Sequence, residues 1–176
     1  MDHWEPQDFN PVQRIDASPR KVGQVVFHPT ASHVLASQPR VTKLLHSGVS
    51  PAVTLPRASL TRASDMTQSI DFNPAGTLPA TTDRDRKLRI YKPQAGGEAV
   101  LAQEGHAGVK RARVIWMGGT GKLASIGFSK MSDRQVWISE TAGGLNNLKR
   151  IDIDQSASII MPFWSDNSIL LLARKG

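Results

Sequence analysis

Several short stretches carry residue types that could do chemistry. Gly118-Gly119-Thr120-Gly121-Lys122 invites comparison with a phosphate-cradling loop. That loop needs a glycine five residues before its Gly-Lys pair, a Ser or Thr directly after it, and a helix whose first N–H groups face the phosphates. Here Trp116 holds the first position, Leu123 follows the lysine, and the next residues read as a strand. A glycine-rich hairpin turn is the reading that fits. Ser18-Pro19-Arg20-Lys21 matches S-x-x-K and Ser165-Asp166-Asn167 matches S-D-N, but the K-T-G that would complete a serine acyl-enzyme site is absent. Pro19 also argues against the buried helix such a serine must start.

The five histidines are His3, His28, His33, His46 and His106, and none is spaced as a metal ligand set. His28 and His33 flank a proline-containing turn, so they cannot share one helix face. Asp83 and Asp85 stand one residue apart in a turn sequence, where capping the backbone is the commoner use of a carboxylate. There is no cysteine, which excludes disulfides, thiolate zinc sites and cysteine nucleophiles. These residues predict no enzyme and no cofactor.

Two basic clusters are left as candidate partner-binding residues. One is Arg84, Arg86, Lys87 and Arg89; the other is Lys110, Arg111 and Arg113. They belong to a chain of 176 residues with formal charge +7, spread as +2 over 1–60, +3 over 61–120 and +2 over 121–176. A disordered basic arm would concentrate the excess in one block, so the charge belongs to a folded surface that favours acidic partners. The alternatives are a basic β-module that binds nucleic acid, disfavoured because aromatic residues total 6 % and only Tyr91 adjoins a cluster, and a truncated chain without autonomous activity. The longest aliphatic run, Ile169-Leu170-Leu171-Leu172-Ala173, is far below the roughly 20 residues of a spanning helix. Acidic Met1-Asp2-His3-Trp4-Glu5-Pro6 is unlike a secretory signal, which places the expected protein in the cytoplasm.

What must position these residues is a repeat. Val25-Val26-Phe27-His28-Pro29 leads through a turn into Val34-Leu35-Ala36-Ser37, and Ile70-Asp71-Phe72-Asn73-Pro74 into Leu78-Pro79-Ala80-Thr81. Val114-Ile115-Trp116-Met117-Gly118 leads into Leu123-Ala124-Ser125, and Ile160-Met161-Pro162-Phe163-Trp164 into Ile169-Leu170-Leu171. The anchoring aromatics fall at 27, 72, 116 and 163, a period close to 45. Such a period, built from short apolar stretches beside turn formers, predicts an all-β fold of propeller blades with four antiparallel strands each. No sustained apolar helix face supports an α-solenoid, and the competing architecture is an evenly spaced β-sandwich. The predicted division is an N-terminal segment 1–17, a degenerate blade 18–65, blades 66–108 and 109–155, and the start of another at 156–176.

Several stretches resemble WD-repeat propellers and, more closely, the coronin family of actin-binding proteins. Ser18 to Leu35 is similar to a blade opening, Asp85-Arg86-Lys87-Leu88-Arg89-Ile90 to a turn and third strand, and Glu104-Gly105-His106 with Gly108-Val109-Lys110 to a blade junction. Gly127-Phe128-Ser129-Lys130-Met131-Ser132-Asp133-Arg134-Gln135-Val136 is the most family-specific stretch, and Met161-Pro162-Phe163-Trp164 with Lys175-Gly176 extends the match. The resemblance implies a partial propeller of three to four blades that binds filamentous actin. In coronins a coiled-coil tail engages the actin-nucleating Arp complex; no heptads follow here. It also implies structural blade positions: Asp85 and Asp133 at the turns between second and third strands, Tyr91 at the position of the third-strand Trp, and His106 at the junction, joined in a buried polar network.

The sequence departs from that pattern in places. The first unit, through Ser37-Gln38-Pro39-Arg40, has neither turn Asp nor Trp, and Lys92 stands where an acid usually follows the Trp position. Six residues after Asp133 comes Ser139, with Trp137 displaced by two, and Arg174 replaces a small residue in the last strand. Missing anchors and open sheet edges predict a marginally stable, aggregation-prone chain. A thermal melt should therefore fall below about 60 °C or end in aggregation; a reversible, cooperative melt well above it would refute this.

Overall fold

The structure is a computed structural model that describes residues 23–32, 34–38, 43–47, 54–59, 66–95, 97–165 and 167–174, with the backbone alone at 38, 43–47, 54–59 and 174. The 1–17 segment, the Ser18–Lys21 motif, His3, His33, the Pro39-Arg40 turn of the first unit and Lys175-Gly176 lie outside the described residues.

The strands are β1 (Gln24–Phe27), β2 (Val34–Gln38), β3 (Lys43–Ser47), β4 (Thr54–Ser59), β5 (Thr67–Phe72), β6 (Pro79–Asp83), β7 (Lys87–Tyr91), β8 (Ala99–Glu104), β9 (Arg113–Trp116), β10 (Lys122–Phe128), β11 (Arg134–Glu140), β12 (Asn146–Asp154), β13 (Ile160–Ser165) and β14 (Ile169–Arg174). They form three antiparallel four-stranded sheets, each in chain order, and a two-stranded fourth sheet of β13 and β14. Gly118–Thr120 is a single 3-10 turn between β9 and β10. The glycine-rich segment is thus a hairpin turn followed by a strand.

The repeat of the sequence is the repeat of the sheets. Phe27, Phe72, Trp116 and Phe163 all lie in the first strand of a sheet. These first strands neighbour one another, β1 against β5, β5 against β9, and β9 against β13. Middle strands such as β6 and β10 are covered on both faces, β6 along its whole length and β10 from Leu123 onward. The outer strand β12 is exposed along its whole length. Charged residues and two register shifts against β11 keep that edge from templating further strands.

Each junction between sheets has its own small core. Ile70 and Phe72 pack with Ala36 and Tyr91; Val114 and Trp116 pack with Ala80, Leu88, Ile90, Leu123 and Leu145; Ile160 packs with Ile126 and Val136. The fourth anchor differs from the others. Ile160, Pro162 and Trp164 face the third sheet while Phe163, one residue out of phase, faces away and is exposed.

Polar bonds also cross the junctions, at the same period. The inner edge of β9 has no strand beside it, and β5 side chains take its N–H groups. Ala112 N donates to Gln68 Oε1 at 2.8 Å, Val114 N to Ser69 Oγ at 3.3 Å and Trp116 N to Asp71 Oδ2 at 2.7 Å. One sheet earlier, Gln24 accepts from Ile70 N at 3.2 Å and donates to Ile70 O at 3.0 Å.

Burial separates the anchors energetically. Trp116→Ala or Phe72→Ala should cost about 3–5 kcal/mol, whereas Phe27→Ala should cost less than about 1 kcal/mol in dilute solution, because that ring is exposed. Urea titration of the three variants checks the order; equal losses would contradict it.

Candidate partner-binding site

The candidate residues gather at one end of the sheets, where the turns between second and third strands meet the connections between sheets. Asp83 to Lys87 form the first of these turns. Arg86 N donates to Asp83 O at 3.0 Å and Lys87 N to Asp85 Oδ1 at 3.2 Å, an Asx-type closure. Arg86 itself is held at φ 65°. That left-handed conformation is ordinarily left to glycine. Its guanidinium donates to Ala107 O at 3.3 Å, tying the turn to the junction.

Inside the turn sits Arg89. Its guanidinium donates to Asp83 Oδ2 at 2.5 Å and to Asp85 Oδ1 and Oδ2 at 3.0 and 2.5 Å. The residue is buried. Two carboxylates around one guanidinium hold its proton more firmly than usual, with Asp85 the larger influence. Asp83, also bonded to Thr67, is pushed up by burial. Tyr91, buried at 1 % exposure beside Thr81, has its hydroxyl pushed up to about 12, chiefly by burial. Arg89 is therefore an interior brace, which corrects its grouping with the surface cations. Arg113 leaves the patch as well. It reaches toward Gln24 Oε1 at 3.4 Å on the inner strands, its Nε buried without a hydrogen-bond partner among the described residues. Burial, with Arg111 nearby, lowers its proton affinity.

At the next junction His106 Nε2 meets Ser125 Oγ at 3.1 Å, and its ring lies 4.5 Å from that of Trp137. A Cβ on Gly127 would collide with the imidazole, so the close approach of ring to strand requires glycine there. Arg150 lies over the indole at 4.2 Å, and the indole N–H donates to Gln135 Oε1 at 3.2 Å. Trp137 was read from the sequence as displaced by two positions. Two residues along a strand restore the same face, so the indole still reaches the histidine. Ser139 instead accepts from Gln103 Nε2 at 3.0 Å, across the second and third sheets. Sequence reasoning missed Ser125 and Trp137 as members of this group; even spacing along β10 and β11 was the signal.

Asp133 does not join His106. It accepts from Ser129 Oγ at 2.8 Å and from Gln155 Nε2 at 3.1 Å, stapling the turn before β11. His106 Nδ1 has no partner among the described residues. Asp85 with Tyr91, His106, and Asp133 thus sit in separate local groups.

What is left facing solvent is Arg84, Arg86, Lys110, Arg111 and Lys130, with half-buried Lys87 paired to Glu104 at 3.7 Å. Arg86, Lys87 and Lys110, from the two sequence clusters, line one narrow cleft between the second and third sheets with His106 and Ser125. Its volume is about 10 Å³, the room of one water molecule. Lys110 also sits 4.6 Å above the Phe128 ring. Several acids at this end have cation or turn partners, Asp83 and Asp85 with Arg89, Asp133 with Ser129 and Asp154 with Arg134, while Glu104 stays exposed beside Lys87. Among the described residues no group of three metal-ligating side chains occurs, and no helix is long and apolar enough to cross a membrane.

Successive four-stranded antiparallel sheets whose first strands neighbour one another make up part of a WD-repeat propeller. Over 89 % of its length the chain superposes on the WD40 domain of Toxoplasma gondii coronin with TM-score 0.60 and 21 % identity, covering 54 % of that chain. In sequence it is 39 % identical over 97 % of its length to the coronin-like protein crn1 of Schizosaccharomyces pombe, and 38 % identical over 98 % to the coronin-like protein of Saccharomyces cerevisiae. The chain belongs to the coronin family. It spans 28 % and 26 % of those two relatives. No protein-family model matches it.

Two buried groups give stability opposite pH dependences. Burial lowers His106 from 6.5 to about 4, so the folded state disfavours its protonation, and stability is lost as pH falls from 6.5 toward 4. Burial raises Asp71 from 3.8 to about 6, so its ionisation costs stability as pH rises through that interval. The stability advantage of the parent chain over His106→Gln should shrink by roughly 3 kcal/mol between pH 7 and pH 4. Relative to Asp71→Asn the parent should gain over the same range. Urea melts at stepped pH check both; parallel pH profiles would contradict them.

Proposed function

We propose that this chain is a non-enzymatic, actin-filament-binding WD-repeat scaffold that organises the cytoplasmic actin cytoskeleton. In this reading its filament contact is the basic end of the second and third sheets. The observation that carries the proposal is the sorting of charge at that end. Asp83, Asp85 and Asp133 are bonded to interior or turn partners and the exposed Glu104 is paired to Lys87, while Arg84, Arg86, Lys110, Arg111 and Lys130 are exposed. Such a field speeds encounter with an acidic surface and fades with salt. The φ of 65° at Arg86 supports the reading further. Glycine would relieve that backbone, yet the position presents a guanidinium, as strained positions at binding sites do.

A scaffold role is supported by what the acid–base candidates do. Asp83 and Asp85 brace Arg89, and His106 packs on Ser125 and Trp137. Family membership makes the actin-nucleating Arp complex a further proposed partner, to which no residue is assigned.

Co-sedimentation with actin filaments tests the proposal. Binding should weaken as salt rises, and Arg86→Ala combined with Lys110→Ala and Arg111→Ala should lower affinity about tenfold. Undiminished binding by the triple variant would remove this surface. Absence of filament binding at low salt, together with a salt-sensitive gel shift on nucleic acid, would overturn the function.

A further inference from the structure

Exposed apolar side chains scattered singly over a surface are ordinary. Two at the basic end of the sheets are placed differently. Val109 is 99 % exposed and Met131 82 %, the two highest values for large apolar side chains among the described residues. Val109 lies in the connection from β8 to β9 and Met131 in the turn from β10 to β11, and the two segments meet at Phe128. Gly108 N donates to Phe128 O at 2.7 Å. A Cβ on Gly108 would stand 2.6 Å from that of Phe128, so the Val109 segment rests directly on the end of β10. Met131 follows Phe128 by three residues.

The backbone beneath Met131 is fixed. Ser129 Oγ donates to Asp133 Oδ2 at 2.8 Å and accepts from Met131 N and Asp133 N at 3.1 Å each. Ser132 N donates to Ser129 O at 3.1 Å. A turn closed this tightly leaves little order to impose when a partner covers its tip. Cations stand around the two apolar tips. Arg84 and Arg86 lie on the second-sheet turn, Lys110 and Arg111 follow Val109, and Lys130 precedes Met131, all exposed. An apolar centre inside a charged rim is the layout of a protein–protein contact. There the desolvated centre carries affinity, and the rim carries encounter rate and salt dependence.

We propose that Val109 and Met131 are the apolar anchors of the partner contact, seated in recesses of an acidic protein surface whose carboxylates meet the surrounding cations. This adds, to the filament contact proposed above and resting on it, a component that salt does not screen. Charge selects the occupant. Whatever covers these tips must also face exposed Arg84, Arg86, Lys110, Arg111 and Lys130. An acidic protein surface neutralises them, whereas a second copy of this chain brings another +7.

Co-sedimentation with actin filaments across a salt series tests this. Val109→Ser combined with Met131→Ser should bind about tenfold more weakly than the parent at every salt concentration, with the slope of affinity against salt unchanged. Arg86→Ala with Lys110→Ala and Arg111→Ala should flatten that slope instead. Val109→Ile with Met131→Leu keeps the apolar surface and should bind as the parent does. The urea melt of the serine variant should match the parent's, because both side chains are exposed; a shifted melt would assign them to the fold and overturn the proposal. A serine variant that binds like the parent, or whose salt slope falls as the cation variant's does, overturns the anchors and leaves the filament contact standing. Failure of the parent to sediment with filaments at low salt overturns both. Sedimentation with phosphatidylserine vesicles in their place would make this surface a membrane contact.

Discussion

The inner edge of each sheet is where this architecture succeeds or fails. A first strand has a partner strand on one side only, and its other N–H groups would be buried against the neighbouring sheet without acceptors. A buried, unsatisfied backbone donor costs on the order of 1–3 kcal/mol. Here Gln68, Ser69 and Asp71 supply acceptors to alternate residues of β9, and Gln24 supplies both an acceptor and a donor to Ile70. Because alternate N–H groups of a strand point the same way, side chains of one sheet can serve the next only at fixed offset. That offset is 44 to 46 residues in these bonds, the period of the sequence. The repeat length is thus a hydrogen-bonding constraint as much as a packing one.

The apolar junctions follow from the same constraint. Once β5 and β9 are locked in register, Phe72 and Trp116 must point into the gap between sheets, and small residues opposite them, Ala36 and Ala80, leave room. The charged turns come next. Asp83 and Asp85 close around Arg89 because the turn between β6 and β7 brings residues four and six apart in sequence onto one side. That brace consumes the acids and one of the four cations of the first cluster. Arg86, Lys87 and Lys110 stand beside the junction at which His106 and Ser125 pack.

Much of the fold was legible in the sequence because periodicity survives divergence. Phe27, Phe72 and Trp116 mark first strands, the Pro/Gly-rich stretches mark turns, and Gly118–Lys122 reads as a hairpin from its neighbours alone. The phase at Phe163 was not legible. A one-residue slip flips a strand's faces, and spacing counted to the nearest aromatic cannot distinguish Phe163 from Trp164. At the candidate site, Arg84, Arg86, Lys110 and Arg111 were readable as exposed cations. Arg89 and Arg113 share their residue type and local sequence, and only three-dimensional neighbours separate them.

The sequence by itself determined the class of structure, the positions of strands and turns, and the kinship, since these are encoded in local residue type and a fixed repeat. The tertiary structure alone decided which charges face solvent, which carboxylates are spent on Arg89, and how Trp137 compensates for Ser139. Those outcomes depend on desolvation and on side-chain contacts that form only once turns and neighbouring sheets are in place, and residue type along the chain does not carry that information.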